Sequence, residues 1–531
     1  MAFRRFFCIF VRLMCPRCNF SLPWVVNKLY MKRNQRIAVG CCILLVMAMQ
    51  LAGCRGGARQ EFNELLISLA GDDQTIDEAD WTAIADYLDG QKAHFGSFFK
   101  GGKLDRDEVE DYVEDYFEGL RPPVKVAFTV GNKPIGVKFY LERSGSMVGY
   151  DAAQGDGSFK AAIVSMLNNL PGQNDDHRIF VVNSEVTEYS KGFSQFVSER
   201  NIFEATKGLG DASYTDFARI FETLLDETDD SGLSILVTDM IYSTRSMAGL
   251  NPQKVFAEAE GMTQAVFKSQ VKDQSMLVIK MNASYSGLYY PYNSSKGGVS
   301  YNGQRPYYIV IVGSDNVMKR LTTSADYAAF SRFADLRGYE NMWLFTADDL
   351  YEPYYSLLLS SPDIRGRFRP ERGQMEQITS IEGLAPDHDA GDIRLALAVD
   401  LSGMLIDEAY LTNPKNYTIV SDDEVEIIDI KPVSKADNDP SDKEYLGTST
   451  HIMVLSLADV TRSQEVEIRL KKQLPQWIGD SSSDDDTNTS APGFANTTFG
   501  LKYLMQGIAN SYRRQAENDD CYFELELNFK K

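Results

Sequence analysis

Cysteine is nearly absent from the body of this 531-residue chain: Cys8, Cys15, Cys18, Cys41, Cys42 and Cys54 lie at or before residue 54, and only Cys521 follows. No intramolecular disulfide framework therefore holds the folded part together. Cys15-Pro-Arg-Cys18 has the Cys-x-x-Cys spacing, but with no second pair or histidine beside it the pattern argues against a zinc or redox centre. Histidine is scarce as well. The four histidines (His94, His177, His388 and His451) stand far apart, and no His-Glu-x-x-His occurs. Ser146 is not framed by Gly-x-Ser-x-Gly, which leaves a nucleophile elbow unsupported. The apolar run Ile37 to Met49 has 13 residues, too short to favour a spanning helix. Acid is missing from residues 1–53, which hold eight of the 54 basic residues and leave 46 basic against 75 acidic in the remainder. A body that acidic repels nucleic acid and anionic lipid surfaces, and suits divalent cations or basic partners instead.

What is present is ample for packed cores: 44% hydrophobic residues, with 27 Tyr and 29 Phe. The length suggests roughly two to three domains. Residues 60–123 read as helical, with Trp81, Ile84, Ala85 and Leu88 at helical spacing and a second stripe through Val109, Tyr112, Val113, Tyr116 and Phe117. Residues 124–350 alternate strand and helix. Val124 to Val130 and Ile135 to Leu141 look like a hairpin, Phe159 to Leu170 and Phe217 to Leu225 like helices, and Leu233 to Thr238 like a buried strand. A further helix is expected over Tyr327 to Leu336. Such alternation predicts an α/β fold with a doubly wound, mostly parallel sheet. The Tyr, Asn, Ser and Gly-rich stretch Ser284 to Pro306 breaks the rhythm and reads as an extended hairpin or a loop, with exposed tyrosines suited to protein recognition. Residues 351–389, with Arg365, Arg367, Arg369 and Arg372, read as a linker. From about residue 390 to 531 the apolar period becomes two, which predicts a β-sandwich-like domain with a mobile acidic loop at 480–491.

The N-terminal region has the features of an address. Basic Met31-Lys32-Arg33-Asn34-Gln35-Arg36 precedes the apolar run, which leads into Leu51-Ala52-Gly53-Cys54. This combination resembles the signal and lipobox of bacterial lipoproteins. The resemblance implies a start at Met31, cleavage before Cys54, lipidation of Cys54, a tether over 54–59, and a protein anchored in the cell envelope facing the periplasm or the cell exterior.

Glu142-Arg143-Ser144-Gly145-Ser146 ends an apolar run, and Thr215 and Asp239 follow at a distance. These are hard oxygen donors of the kind that hold Mg²⁺. Their order resembles the metal-ion-dependent adhesion site of von Willebrand factor A domains, where the motif is Asp-x-Ser-x-Ser followed by a Thr and an Asp. The resemblance implies that Ser144, Ser146 and Thr215 touch Mg²⁺ directly (with Mn²⁺ or Ca²⁺ as alternatives) and that Asp239 acts through water. It also implies that an acidic residue of a protein partner completes the coordination. Glu142 departs from the family's Asp, and its extra methylene adds reach of about 1.5 Å, enough for direct ligation. Two other readings stand beside the binding module: a metal-independent structural or assembly lipoprotein, and a metal-assisted hydrolase. Asp400-Leu401-Ser402-Gly403-Met404 looks like a second copy of the motif but has Met404 where the second serine belongs.

Overall fold

A computed structural model describes residues 57–530 except 72–74, 77, 93, 101–102, 121–125, 129–134, 171–176, 211–214, 229–230, 243–249, 269–270, 272–273, 293–296, 348–349, 375–376, 459–461 and 516–520. Cys54 and the signal region lie outside the described residues. The chain divides into two compact units, residues 1–132 and 133–531.

In the first unit, helices α1 (Gly57–Ala70), α2 (Glu78–Gly90) and α3 (Arg106–Glu118) carry the expected helical stripes. Phe62, Leu66, Ile84, Leu88, Val109, Val113 and Phe117 bury together because residues three and four apart share a helix face. Strand β1 (Thr75–Ile76) pairs in parallel with β4 (Ala127–Phe128), and β2 (Phe99–Lys100) forms a small hairpin with β3 (Lys103–Leu104). The hairpin expected between Val124–Val130 and Ile135–Leu141 is therefore not formed by Ala127–Phe128, whose backbone hydrogen bonds go to β1.

The second unit is mixed α/β. Its main sheet holds β5 (Gly136–Glu142), β6 (His177–Val182), β7 (Val186–Glu188), β8 (Gly232–Thr238), β9 (Gln274–Tyr289), β10 (Val299–Ser314) and β11 (Tyr339–Phe345). The order across the sheet is β11-β9-β10-β8-β5-β6-β7. Helices α4 (Ser158–Asn168), α5 (Phe217–Glu227), α6 (Pro252–Phe267) and α7 (Asp315–Thr323) connect these strands.

Only the β5–β6 and β5–β8 pairings are parallel; the other four are antiparallel, so the sheet is mixed and not mostly parallel. The cause lies in the Tyr-rich stretch, which forms the far end of a hairpin with two 16-residue strands. A hairpin joins its strands antiparallel, and β10 lodges between β8 and β9, where a crossover would have extended the parallel run. The helix expected over Tyr327–Leu336 is two short 3₁₀ turns, Ala325–Tyr327 and Phe333–Asp335. Tyr327, Phe330, Phe333 and Leu336 repeat every three residues, the period of that tighter helix.

Residues 355–530 add two further sheets. One has the order β12 (Tyr355–Leu357), β15 (Ile393–Val399), β18 (His451–Leu457), β17 (Val425–Pro432). The other has β13 (Arg367–Pro370), β14 (Ser380–Ala385), β22 (Cys521–Lys530), β19 (Gln464–Lys471), β16 (Tyr417–Val420). The stretch read as a linker thus supplies strands β12, β13 and β14, and its arginines pair with acids: Arg365 with Asp392 at 3.0 Å and Arg369 with Glu382 at 3.0 Å. Both sheets share one hydrophobic cluster with the seven-stranded sheet.

The acidic loop expected at 480–491 makes defined contacts. Strand β20 (Ser482–Ser483) pairs with β21 (Thr498–Phe499), and Asp486 is buried. Helix α8 (Leu501–Gln515) then lies against α6: Tyr503 stacks on Phe256 at 4.2 Å, and Thr263 Oγ1 donates to the Leu504 carbonyl at 3.2 Å.

The close approach of α6 and α8 depends on Gly507, where a methyl group would overlap Thr263 Oγ1 and the Glu260 carbonyl. Gly507→Ala is expected to cost about 2 kcal/mol despite alanine's helix preference, because the two helices must separate to admit it. Urea unfolding followed by tryptophan fluorescence measures this, and an unchanged midpoint would show that α8 docks loosely.

Candidate metal centre

Strands β5 and β8 are parallel neighbours, and their carboxyl ends bring Glu142 and Thr238-Asp239 side by side. From β5 the chain proceeds to β6 on one side and later to β8 on the other. Their carboxyl ends therefore flank a topological switch point, the place in an open sheet where loops diverge and leave a crevice. Thr215 enters from a third direction, just before α5, whose N-cap Asp216 accepts from the Arg219 backbone N–H at 3.2 Å.

These elements meet at Glu142. Thr215 Oγ1 donates to Glu142 Oε1 at 2.8 Å, and Thr238 Oγ1 donates to Glu142 Oε2. Thr238 also accepts from the Met240 backbone N–H at 2.9 Å, so its hydroxyl links the carboxylate to the turn after β8. Met240 has φ 55°, the only positive value at a non-glycine among the described residues. Backbone strain of this kind persists only where the surroundings enforce it. Here it follows Asp239, whose Oδ1 accepts from the Ile241 N–H at 3.1 Å. The Ser144 and Ser146 hydroxyls lie 2.9 Å apart on the loop after β5. The Ser144 hydroxyl favours the charged form of Glu142, and the Ser146 hydroxyl that of Asp239. All five residues anticipated from the sequence are thus joined, and Thr238 is a sixth that the sequence reading passed over. Its signal was available: a hydroxyl at the end of an apolar strand, beside the candidate aspartate.

The electrostatics are those of two buried carboxylates. Glu142 is 1% exposed and Asp239 2%. Burial, followed by the charge of Asp239, pushes Glu142 up to about 8 against the opposing Thr238, Thr215 and Ser144 hydroxyls. Burial also raises Asp239, while the Ser146 hydroxyl, the Ile241 N–H and the charge of Arg305 oppose it. Asp239 Oδ2 is buried without a hydrogen-bond partner. A divalent cation suits this donor set. Hydroxyls that donate their protons to a carboxylate keep their lone pairs for a metal, the unpartnered Oδ2 offers another oxygen, and a cation would offset two charges that otherwise repel. None of the four histidines hydrogen-bonds to these groups among the described residues; His451, for instance, is engaged with Glu408 at 2.7 Å. Asp400 serves a local turn, its Oδ1 accepting from the Ser402 N–H at 3.0 Å and from the Ser402 hydroxyl at 2.6 Å.

Beside the centre stands a ribbon. Strand β8 pairs only with residues 308–313 of β10, and β11 only with residues 276–281 of β9, so residues 282–289 and 299–306 extend beyond the sheet as a two-stranded arm. Tyr285 of this arm packs edge-on against Tyr150 at 5.0 Å, and Tyr150 Oη donates to the Pro306 carbonyl. The Tyr290 ring approaches to 3.0 Å the point where a side chain on Gly145 would begin. Val148, Leu288, Tyr290 and Val299 are four of the seven exposed large apolar residues among those described, so exposed apolar surface concentrates around this loop and arm.

No family model matches the chain, and no curated protein or solved structure matches it.

The carboxylates make stability depend on pH in a definite direction. A buried acid whose folded value lies above its unfolded one stabilises the fold at low pH, and the effect is lost as pH rises from about 4.5 to about 8 for Glu142. In chelator, the second unit is therefore expected to be less stable at pH 8.5 than at pH 5.5, with Glu142→Gln flattening the difference. Paired thermal melts of the two proteins test this; parallel pH profiles would refute it.

Proposed function

We propose that the second unit is a non-catalytic binding module with a von Willebrand A-like core, and that it captures a protein partner through a divalent cation at this centre. The observation that carries the reading is the unpartnered Asp239 Oδ2 beside Glu142, two buried acids ringed by the Ser144, Ser146, Thr215 and Thr238 hydroxyls. Ser144, Ser146 and Thr215 would hold the ion with Asp239, and Glu142 would orient the threonine hydroxyls. The ion itself would supply a Lewis-acidic point of attachment for a partner's carboxylate. The apolar residues Val148, Leu288, Tyr290 and Val299 supply a surface on which that partner's side chains can be desolvated, as in the apolar centre of a protein interface.

The proposal includes a lipid tether at Cys54 in the bacterial cell envelope, on the strength of the lipobox-like sequence. Among the described residues no helix is long and apolar enough to cross a membrane. One observation favours the metal-independent reading: both Glu142 oxygens already accept hydrogen bonds, which gives the centre an internally bonded form without an ion.

Isothermal titration with Mg²⁺ and Mn²⁺ separates the two. Saturable binding that weakens about tenfold or more in Ser144→Ala is expected, since a metal ligand is lost. An absence of binding heat would sink the cation reading. Partner capture that persists in chelator would establish the metal-independent one.

A further inference from the structure

A cleft of about 460 Å³ opens where α7 meets residues 350–354 and the loop after β15. Its volume falls in the range of small-molecule sites, roughly 300–1,000 Å³, and it lies between two layers of the fold, where such sites are common. It is separate from the candidate metal centre. Strand β10 runs antiparallel to β8, so α7, which follows Ser314, leaves the sheet at the edge opposite Asp239. None of the six residues of the centre lines the cleft.

One wall is the loop Asp400 to Met404, the look-alike of the serine motif, and it is fastened at both ends. The Asp400 N–H donates to the Tyr354 carbonyl at 2.8 Å, and the Leu405 N–H donates to Tyr351 Oη at 3.0 Å. Between them Gly403, at φ 74°, brings the loop against α7, where a β-carbon would stand 3.5 Å from the Thr322 Cβ. Tyr354 is fixed as well. Its Oη donates to the Tyr445 carbonyl at 2.8 Å, and its ring passes over Gly447, where a β-carbon would lie 2.6 Å from it. The wall is therefore shaped before any ligand arrives, which lowers the entropy lost on binding.

The hydrogen-bonding character of the lining is one-sided. The Thr322 and Thr323 hydroxyls both donate to the Lys319 carbonyl, at 2.9 and 3.0 Å, and the Ser402 hydroxyl donates to Asp400 Oδ1 at 2.6 Å. Their protons are committed inside the protein, so toward the cleft these hydroxyls can only accept. Asp400 Oδ2 makes no hydrogen bond among those found in the described residues and is a further acceptor. Lys319 is the single basic side chain of the lining, against Asp400 and Glu352, a balance that disfavours phosphate or carboxylate ligands. Pro353 and the rings of Tyr351 and Tyr354 supply apolar surface. A fitting ligand brings many donors of its own, no net charge, and a rigid apolar face. A sugar ring has these properties, with hydroxyls around its rim and C–H groups on its faces. A polyamine brings donors but no such face, and sets its cations beside Lys319.

We propose that this cleft is a saccharide-binding site, in which Asp400, Thr322 and Thr323 accept from sugar hydroxyls and Lys319 donates to a sugar oxygen. The site is independent of the cation reading above.

Isothermal titration of the full chain with maltotriose, cellotriose and the β-linked trimer of N-acetylglucosamine tests it, with spermidine and inorganic phosphate as contrasting probes. Saturable binding of at least one trisaccharide is expected. Asp400→Asn is expected to weaken that binding roughly tenfold, since a charged acceptor becomes a neutral one while an oxygen remains for the Ser402 turn. Lys319→Met, an exposed change on α7, is expected to weaken it about threefold or more. Ser144→Ala is expected to leave it unchanged. The proposal is overturned if none of the three trisaccharides binds, if neither Asp400→Asn nor Lys319→Met weakens the binding, if Ser144→Ala weakens it as much as Asp400→Asn, or if spermidine or phosphate binds in their place. Each of these results leaves the titration with Mg²⁺ and Mn²⁺ to decide the cation reading by itself.

Discussion

Glu142 is the constraint around which the second unit is arranged. A carboxylate this buried is tolerable only if both oxygens find donors, and the donors come from two separate elements: Thr238 from the neighbouring parallel strand and Thr215 from the loop before α5. The parallel register of β5 and β8 places the first, and the capped start of α5 places the second. The turn after β8 is drawn into the same network, with Met240 held at positive φ while Thr238 and Asp239 bond the next backbone N–H groups. Displacing any of these elements would leave a buried acid short of partners, which costs more than the bonds themselves contribute.

The arm formed by β9 and β10 is the second organising feature. A two-stranded ribbon is marginally stable by itself, so this one needs packing beyond its own hydrogen bonds. It receives that packing from the loop after Ser146, through Tyr150, and from residues 481–499, through Asp486, Phe494 and Phe499. Gly149 is required where Tyr285 presses on the loop, since a β-carbon there would come within 2.5 Å of the ring. The C-terminal residues thereby become part of the surroundings of the candidate centre. Helix α8 continues the same closure along α6.

Much of the local structure was legible in the chain. Apolar stripes at helical spacing located α4, α5 and α6, and continuous apolar runs located β5 and β8, because those residues are buried on both sides. The ligand-like residues were legible because hydroxyls and acids at the ends of such runs have few structural reasons to be there. Thr238 was passed over because a β-branched residue closing a strand reads as part of the strand. Arg305 gave no signal at all, since arginine in a Tyr- and Gly-rich stretch reads as an exposed residue. Helix α7 has a short stripe of Val317, Met318 and Leu321, and the three-residue repeat that follows it mimics a helix while forming 3₁₀ turns.

The sequence by itself determined the main helices α4, α5 and α6, the apolar strands β5 and β8, and which hydroxyls and carboxylates stand at their ends, because burial patterns and end residues are written along the chain. Only the tertiary structure decided that β10 enters between β8 and β9, that Thr238 clasps Glu142, and that an acidic loop and a buried arginine close over the arm. Those outcomes depend on contacts between residues about 70 to 200 positions apart. Local propensity and periodicity carry no information about such pairs. At this centre, where the two acids meet after the chain has folded, burial raises both of them above their ordinary carboxylate values, and the charge of Asp239 raises Glu142 further.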